Sequence, residues 1–263
     1  MEHVIAVANQ KGGAGKTTTT VNLAAALGAA GVPTLVVDLD PQASASAWLG
    51  VAEPDDTGLL DALTRGSASL AELARESSAP GVEVVPSSGA LAHAERELGA
   101  VPGGDLALRR LVEGLPARRW RVVLFDCPPQ LGRLTSAVLL AARGVLVPVE
   151  ASSMALAGLT ALLTTLGRAC QHNPALVVRG ILACRVDYRN NLSREVVAAL
   201  AERFPEECLR TVIRERVRLR EAPSYRVPVN LYDPDGDAAQ DFAALARELF
   251  PGEVGEGVRG RAA

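Results

Sequence analysis

Between an apolar run at residues 4–8 and an alanine- and leucine-rich stretch at 21–30, the chain reads Gln10-Lys11-Gly12-Gly13-Ala14-Gly15-Lys16-Thr17-Thr18. The apolar run suits a short buried strand and the alanine-rich stretch a helix, so the glycines mark a tight strand-to-helix turn. Glycine lets successive backbone N–H groups converge on an anion, and the amino end of the following helix adds its positive dipole. Such a turn suits a triphosphate, with residues 11–18 as the cradle.

The strict pattern G-x-x-x-x-G-K-[ST] requires glycine at position 10, where this chain has Gln10 and then a second lysine, Lys11. Lys11 and Lys16 are the only lysines; the remaining cations among the 27 Lys and Arg are arginines. A compact ammonium fits beside phosphate oxygens inside a tight turn, where a planar guanidinium is too wide. The loop Lys-Gly-Gly-x-Gly-Lys-Thr resembles the deviant P-loop of the ParA/MinD family of ATPases. The resemblance implies ATP and Mg2+ as cofactors, Lys16 on the β- and γ-phosphates and Thr17 on the metal. It also implies that Lys11 crosses a homodimer interface to the partner's nucleotide.

An apolar run at 33–39 ends in Asp38-Leu39-Asp40-Pro41-Gln42, and a strand expected at 121–125 enters Asp126-Cys127-Pro128-Pro129. Acids at the carboxyl ends of parallel strands lie beside a P-loop when the strands are neighbours. A turn or helix cap is the plainer local reading of Asp38 and Asp40. In the family that the chain resembles these stretches are switch I and switch II. The resemblance gives Asp40 a part in placing the attacking water and assigns the magnesium shell to Thr17, Asp40 and Asp126.

Further strands are expected at 82–86, 144–149, 177–184 and 209–213. Helices are expected at 59–65, 70–76, 90–98, 106–115, 155–168, from 193 onward, and at 238–250. Strands alternating with helices describe an α/β fold, a doubly wound and mostly parallel sheet with helices on both faces. The expected organisation is one P-loop NTPase domain over residues 1–250 and a flexible tail at 251–263. A hydrophobic fraction of 48% with only 3% aromatic residues makes the core one of Val, Leu, Ala and Ile, as suits parallel strands covered on both sides. Cys127, Cys170, Cys184 and Cys208 lack metal-ligand spacing and read as reduced core thiols. With no charged leader before the first strand and no apolar run of roughly 18 residues, a cytoplasmic protein without membrane attachment is expected.

A net charge of −3 offers no global attraction to nucleic acid, so DNA contact needs a local patch. Arg214, Arg216, Arg218 and Arg220 alternate with Glu215, Val217 and Leu219, and Arg226 follows. In an extended segment, arginines two apart share one side and reach successive phosphates. With Glu215 and Glu221 interspersed, the same pattern also describes a solvated, salt-bridged face. The run Val-Arg-Leu-x-Glu-Ala-Pro-Ser from residue 217 resembles the carboxyl-terminal signature of chromosomal ParA proteins. That implies non-specific DNA binding through these arginines, nucleoid association and a ParB-like partner that stimulates a weak ATPase. The chain departs from the family at Arg214-Glu215-Arg216, near the expected adenine site, and at Ser224-Tyr225-Arg226. Gln130 and Arg143 stand where small or acidic residues are commoner.

The function implied is an ATP-dependent dimerising ATPase that segregates a chromosome or plasmid. Two alternatives are compatible with the P-loop: a ParA-like ATPase that positions a protein cargo, and a P-loop enzyme acting on a small molecule.

Overall fold

The structure is a computed structural model that describes residues 3–52, 54, 57–130, 132–152 and 155–255. Eight strands form one sheet: β1 His3–Val7, β2 Thr34–Asp38, β3 Arg75–Glu76, β4 Val82–Val85, β5 Val122–Asp126, β6 Gly144–Glu150, β7 Val177–Val186 and β8 Ile213–Arg214. Their spatial order is β3-β4-β2-β5-β1-β6-β7-β8, parallel throughout except where β3 runs antiparallel to β4 at one edge. The helices are α1 Lys16–Ala29, α2 Ser44–Trp48, α3 Gly58–Arg65, α4 Leu70–Leu73, α5 Ala94–Ala100 and α6 Ala107–Glu113. They continue with α7 Arg133–Ala141, α8 Ala155–His172, α9 Asn191–Arg203, α10 Val217–Glu221, α11 Val229–Tyr232 and α12 Asp237–Leu249.

The strand period of two divides the apolar side chains between two cores. Val122 and Leu124 of β5 join Val21, Leu23 and Leu27 of α1 and Phe242 and Leu245 of α12. Val123 and Phe125 face the other way, toward Leu108 of α6, Val138 of α7 and Leu162 of α8. Burial on both faces explains why the central strands read as unbroken apolar runs. The fold is thus the doubly wound α/β sheet expected from the alternation, with β1 at its centre.

Several local expectations are corrected. The helix expected at 70–76 stops at Leu73: Ser69 and Glu72 start it with reciprocal capping bonds, and Arg75–Glu76 then turn outward to pair with β4. Helix α9 is capped by the Asn190 side chain, which accepts the Leu192 N–H, so it begins at Asn191 and not at Ser193. The strand expected at 209–213 shrinks to Ile213–Arg214. The N–H groups of Arg210 and Thr211 donate instead to the Glu248 carboxylate of α12, at 2.8 and 2.9 Å, which takes the place of a neighbouring strand. Part of the expected tail stays on the body, since Glu253 pairs with Arg121 at 2.7 Å. The rest of that tail, 256–263, lies outside the described residues.

Candidate nucleotide site

The glycine-rich turn leaves the carboxyl end of β1 and enters α1. Asn9 braces it from below: its Nδ2 donates to the Pro148 carbonyl at 2.7 Å and its Oδ1 accepts the Lys11 N–H at 3.0 Å. Gly13 and Gly15 hold φ of +76° and +96°, the left-handed region that side chains disfavour, and nothing lies within 4 Å of where a Cβ on Gly12 or Gly13 would stand. The turn is therefore shaped by backbone conformation and opens onto free space. Gly15 brings no side-chain oxygen to the first-turn N–H groups of α1, and that turn has no acid, so the positive end of the helix is left for an external anion. Ala14 is buried beneath the turn and Thr18 is half-buried beside it.

Lys16 is buried, with Nζ 3.4 Å from the Lys11 carbonyl. Burial lowers its pKa, opposed first by the field of Asp126 and then by Cys127 and Asp40. Phosphate charge delivered to this ammonium would favour its protonated form.

Two fully buried acids end adjacent strands. Asp126 is the register partner of Val7 in β1 and of Asp38 in β2. Its Oδ2 accepts the Thr17 hydroxyl at 2.7 Å and its Oδ1 the Thr20 hydroxyl at 3.1 Å. Asp38 accepts both the N–H and the hydroxyl of Ser46, at 2.8 and 2.7 Å, and the N–H of Asp40 at 3.2 Å. Burial pushes both carboxyl groups up, and the charge of Asp38 adds to the rise at Asp126. A divalent cation here would reverse that by favouring the ionised acids. The donors fit magnesium, since the Thr17 hydroxyl and Asp126 carboxylate are hard oxygens. Among the described residues no group of three or more His, Cys, Asp or Glu stands ready for a metal. Asp40 lies half-buried in the turn after β2, its Oδ1 accepting the Gln42 N–H at 3.0 Å. The turn thus separates it from Asp38, the acid that points into the protein. Asp38 is absent from the site residues expected from the sequence, although its place at the end of an apolar run marked it as an acid beside the turn.

Lys11 is half-exposed at the rim, its Nζ 2.5 Å from Glu150 Oε2 and 3.0 Å from Ser152 Oγ, both just beyond or at the end of β6. The two lysines of one loop thus face opposite environments, one buried among acids and one at the surface.

The arginine segment is not the extended ladder anticipated. Only Ile213–Arg214 pair in the sheet, and Arg218 and Arg220 lie on the short helix α10, where a spacing of two does not share a face. Arg214 is bound through several N–H groups to Asp241 of α12, at 2.7 Å for the shortest, and Arg216 to Asp237 at 2.7 Å. Arg218 pairs with Glu221 at 3.2 Å and Arg220 with Glu215 at 3.5 Å. Arg214, Arg216 and Arg220 border a cavity of about 300 Å3 together with Gly13, Gly15 and Thr18. Arg226, in the left-handed region at φ +57°, borders a neighbouring cavity with Thr17 and Trp48. Folding therefore brings this segment against the phosphate loop. A larger cavity, about 640 Å3, includes Arg143 with His3, Arg118 and Trp120 but none of the phosphate-loop residues.

The chain is similar to several known proteins. A family described as an AAA domain matches residues 2–178. The chain is 36% identical over 250 residues to the sporulation initiation inhibitor protein Soj of Bacillus subtilis, covering 95% of this chain and 98% of that one. It is 38% identical over 252 residues to the chromosome partitioning protein ParA of Caulobacter vibrioides, covering 95% and 94%. Among solved structures it resembles cobyrinic acid a,c-diamide synthase from Mycobacterium smegmatis with bound ATP analog and magnesium, at TM-score 0.76 and 35% identity over 86% of this chain and 92% of that one.

Proposed function

Because the chain belongs to the ParA/MinD family of P-loop ATPases, with ATP and Mg2+ as cofactors, we propose that it is an ATP-driven dimerising switch whose nucleotide-bound dimer engages DNA and partitions a chromosome or plasmid with a ParB-like partner. The observation that supports this reading is the opposite placement of the two lysines, one buried and one at the rim. Lys16 is buried beside Asp126 and serves its own nucleotide; Lys11 is displayed at the rim, where a second protomer's nucleotide can meet it.

In this reading the N–H groups of residues 12–17 orient the phosphates and Lys16 neutralises their charge. Thr17 and Asp126, with Asp40 nearby, would hold magnesium, which when bound would supply positive charge to the γ-phosphate. Asp40, in the turn after β2, orients the attacking water. Thr18 and Ala14 shape the cradle. Arg218, Arg220 and Arg226, with Arg214 and Arg216 behind them, meet DNA phosphates.

A second reading, an ATPase that positions a protein cargo, is favoured by the surface itself. Arg214, Arg216, Arg218 and Arg220 each have a carboxylate partner, and Val217 and Tyr225 of the same segment are exposed. Paired arginines beside apolar side chains suit a protein surface better than a polyanion. DNA binding measured with ATP, with ADP and without nucleotide tests the first reading, and a pull-down of the partner separates it from the second. The partition reading expects binding with ATP alone; binding indifferent to nucleotide, or none, sinks it.

A further inference from the structure

The rim lysine is the first member of a chain of alternating charges. Glu150 offers Oε2 to Lys11 and Oε1 to Arg185, whose Nη1 lies 2.7 Å away. The other arm of Arg185 reaches Glu215 at 3.6 Å, and Glu215 lies 3.5 Å from Arg220. Arg185 holds φ of +55° and sits where the β7–β8 register shifts between Cys184 and Val186. A left-handed residue other than glycine inside a strand is disfavoured by sterics. Such irregularities re-aim a side chain, and here the guanidinium is aimed between Glu150 and Glu215.

We infer that Glu150, shared between Lys11 and Arg185, holds Lys11 in its own protomer and so sets the threshold for nucleotide-driven dimerisation. This rests on the reading of Lys11 as the residue that serves the partner's nucleotide. An ammonium cannot stay against Glu150 and also lie beside a phosphate across an interface, so the pair must break once in each protomer as the dimer forms. Arg185 competes with Lys11 for the same carboxylate. Removing Glu150 therefore frees the lysine, whereas removing Arg185 leaves Glu150 to Lys11 alone and holds it harder. The two changes act in opposite directions, which general damage to the fold cannot imitate.

The test is sedimentation equilibrium of the full chain with a saturating non-hydrolysable ATP analogue and magnesium. A partly exposed pair of this kind is worth up to about fivefold, and two break per dimer. Glu150→Gln should lower the dimer dissociation constant by about three- to twentyfold. Arg185→Gln should raise it by a comparable factor, and Glu150→Gln should not restore the dimer to Lys11→Ala. If Lys11→Ala abolishes the dimer but Glu150→Gln leaves it unchanged or weaker, the holding role is wrong and the shared-nucleotide dimer stands. If Arg185→Gln tightens the dimer, the competition is wrong. Should Lys11→Ala dimerise like the parent chain, the reading of Lys11 itself falls and takes this inference with it.

Discussion

Asp38 and Asp126 face each other as register partners at the carboxyl ends of β2 and β5, both without solvent exposure. Hydroxyls of Ser46, Thr17 and Thr20 and the N–H groups of Ser46 and Asp40 occupy their oxygens, and none of these donors is charged. Two neighbouring buried carboxyl groups are costly for the empty protein and useful once a cation arrives.

The Asp38–Asp126 arrangement predicts that Asp126→Asn stabilises the nucleotide-free protein while impairing magnesium-nucleotide binding. The amide keeps an acceptor for Thr17 or Thr20 and removes one buried charge, for a gain of about 1–2 kcal/mol. Thermal melts with and without magnesium and ATP measure it. A lower melting temperature without ligand, with an undiminished rise on adding ligand, would count against the site.

Lys16 and Asp40 should separate binding from turnover. Lys16→Ala removes the buried cation beside the phosphate turn and should abolish ATP binding, read by a fluorescent analogue. On the proposed reading, in which Asp40 orients the attacking water from the turn after β2, Asp40→Ala should bind ATP normally and accumulate the dimer. Hydrolysis by Asp40→Ala at the parent rate refutes that placement.

The carboxyl-terminal arginines should divide by partner. Arg214 is three-quarters buried and bound to Asp241, itself only 11% exposed, so Arg214→Ala should loosen α12 and cost about 2 kcal/mol in denaturant unfolding. Arg218 and Arg220 are exposed, so the Arg218→Ala, Arg220→Ala double variant should keep its stability and its ATP-driven dimer. If DNA is the ligand, the same variant binds unrelated sequences equally weakly, with a salt slope shallower by about 0.9 for each phosphate left without its arginine. Unchanged affinity and slope would place DNA binding elsewhere on the surface.

Cys127 and Cys184 should resist alkylation in the native state. Burial, with the field of Asp126, pushes the Cys127 thiol far above its ordinary value, and burial pushes Cys184 up to about 12. At mildly alkaline pH both remain thiols, and iodoacetamide should label them only as fast as the chain unfolds. Prompt labelling of either, followed by mass spectrometry, would show that the base of the site opens.

What the sequence alone determined is local. A strand of five residues, a glycine turn and a helix are written in consecutive positions, because backbone preference and side-chain periodicity act over a few residues. Lys16 and Thr17 could therefore be singled out by type and by position in the turn, as could the α/β alternation, whereas Asp126 stood out through the resemblance of its Asp-x-Pro-Pro stretch. Tertiary structure decided which ends meet. Asp38 faces Asp126 only because β5 inserts between β1 and β2, a matter of strand order that no local pattern records. Lys11 meets Glu150 across 139 positions, and Arg214 finds Asp241 across 27. The arginine alternation looked like an extended ladder because spacing carries no information about distant acids. Docking of α12 supplies Asp237 and Asp241, and Glu248 occupies the backbone N–H groups that a longer strand would have used. Charge types and turn geometry belong to the local chain; the partners of those charges are set by packing two layers of helices on one sheet.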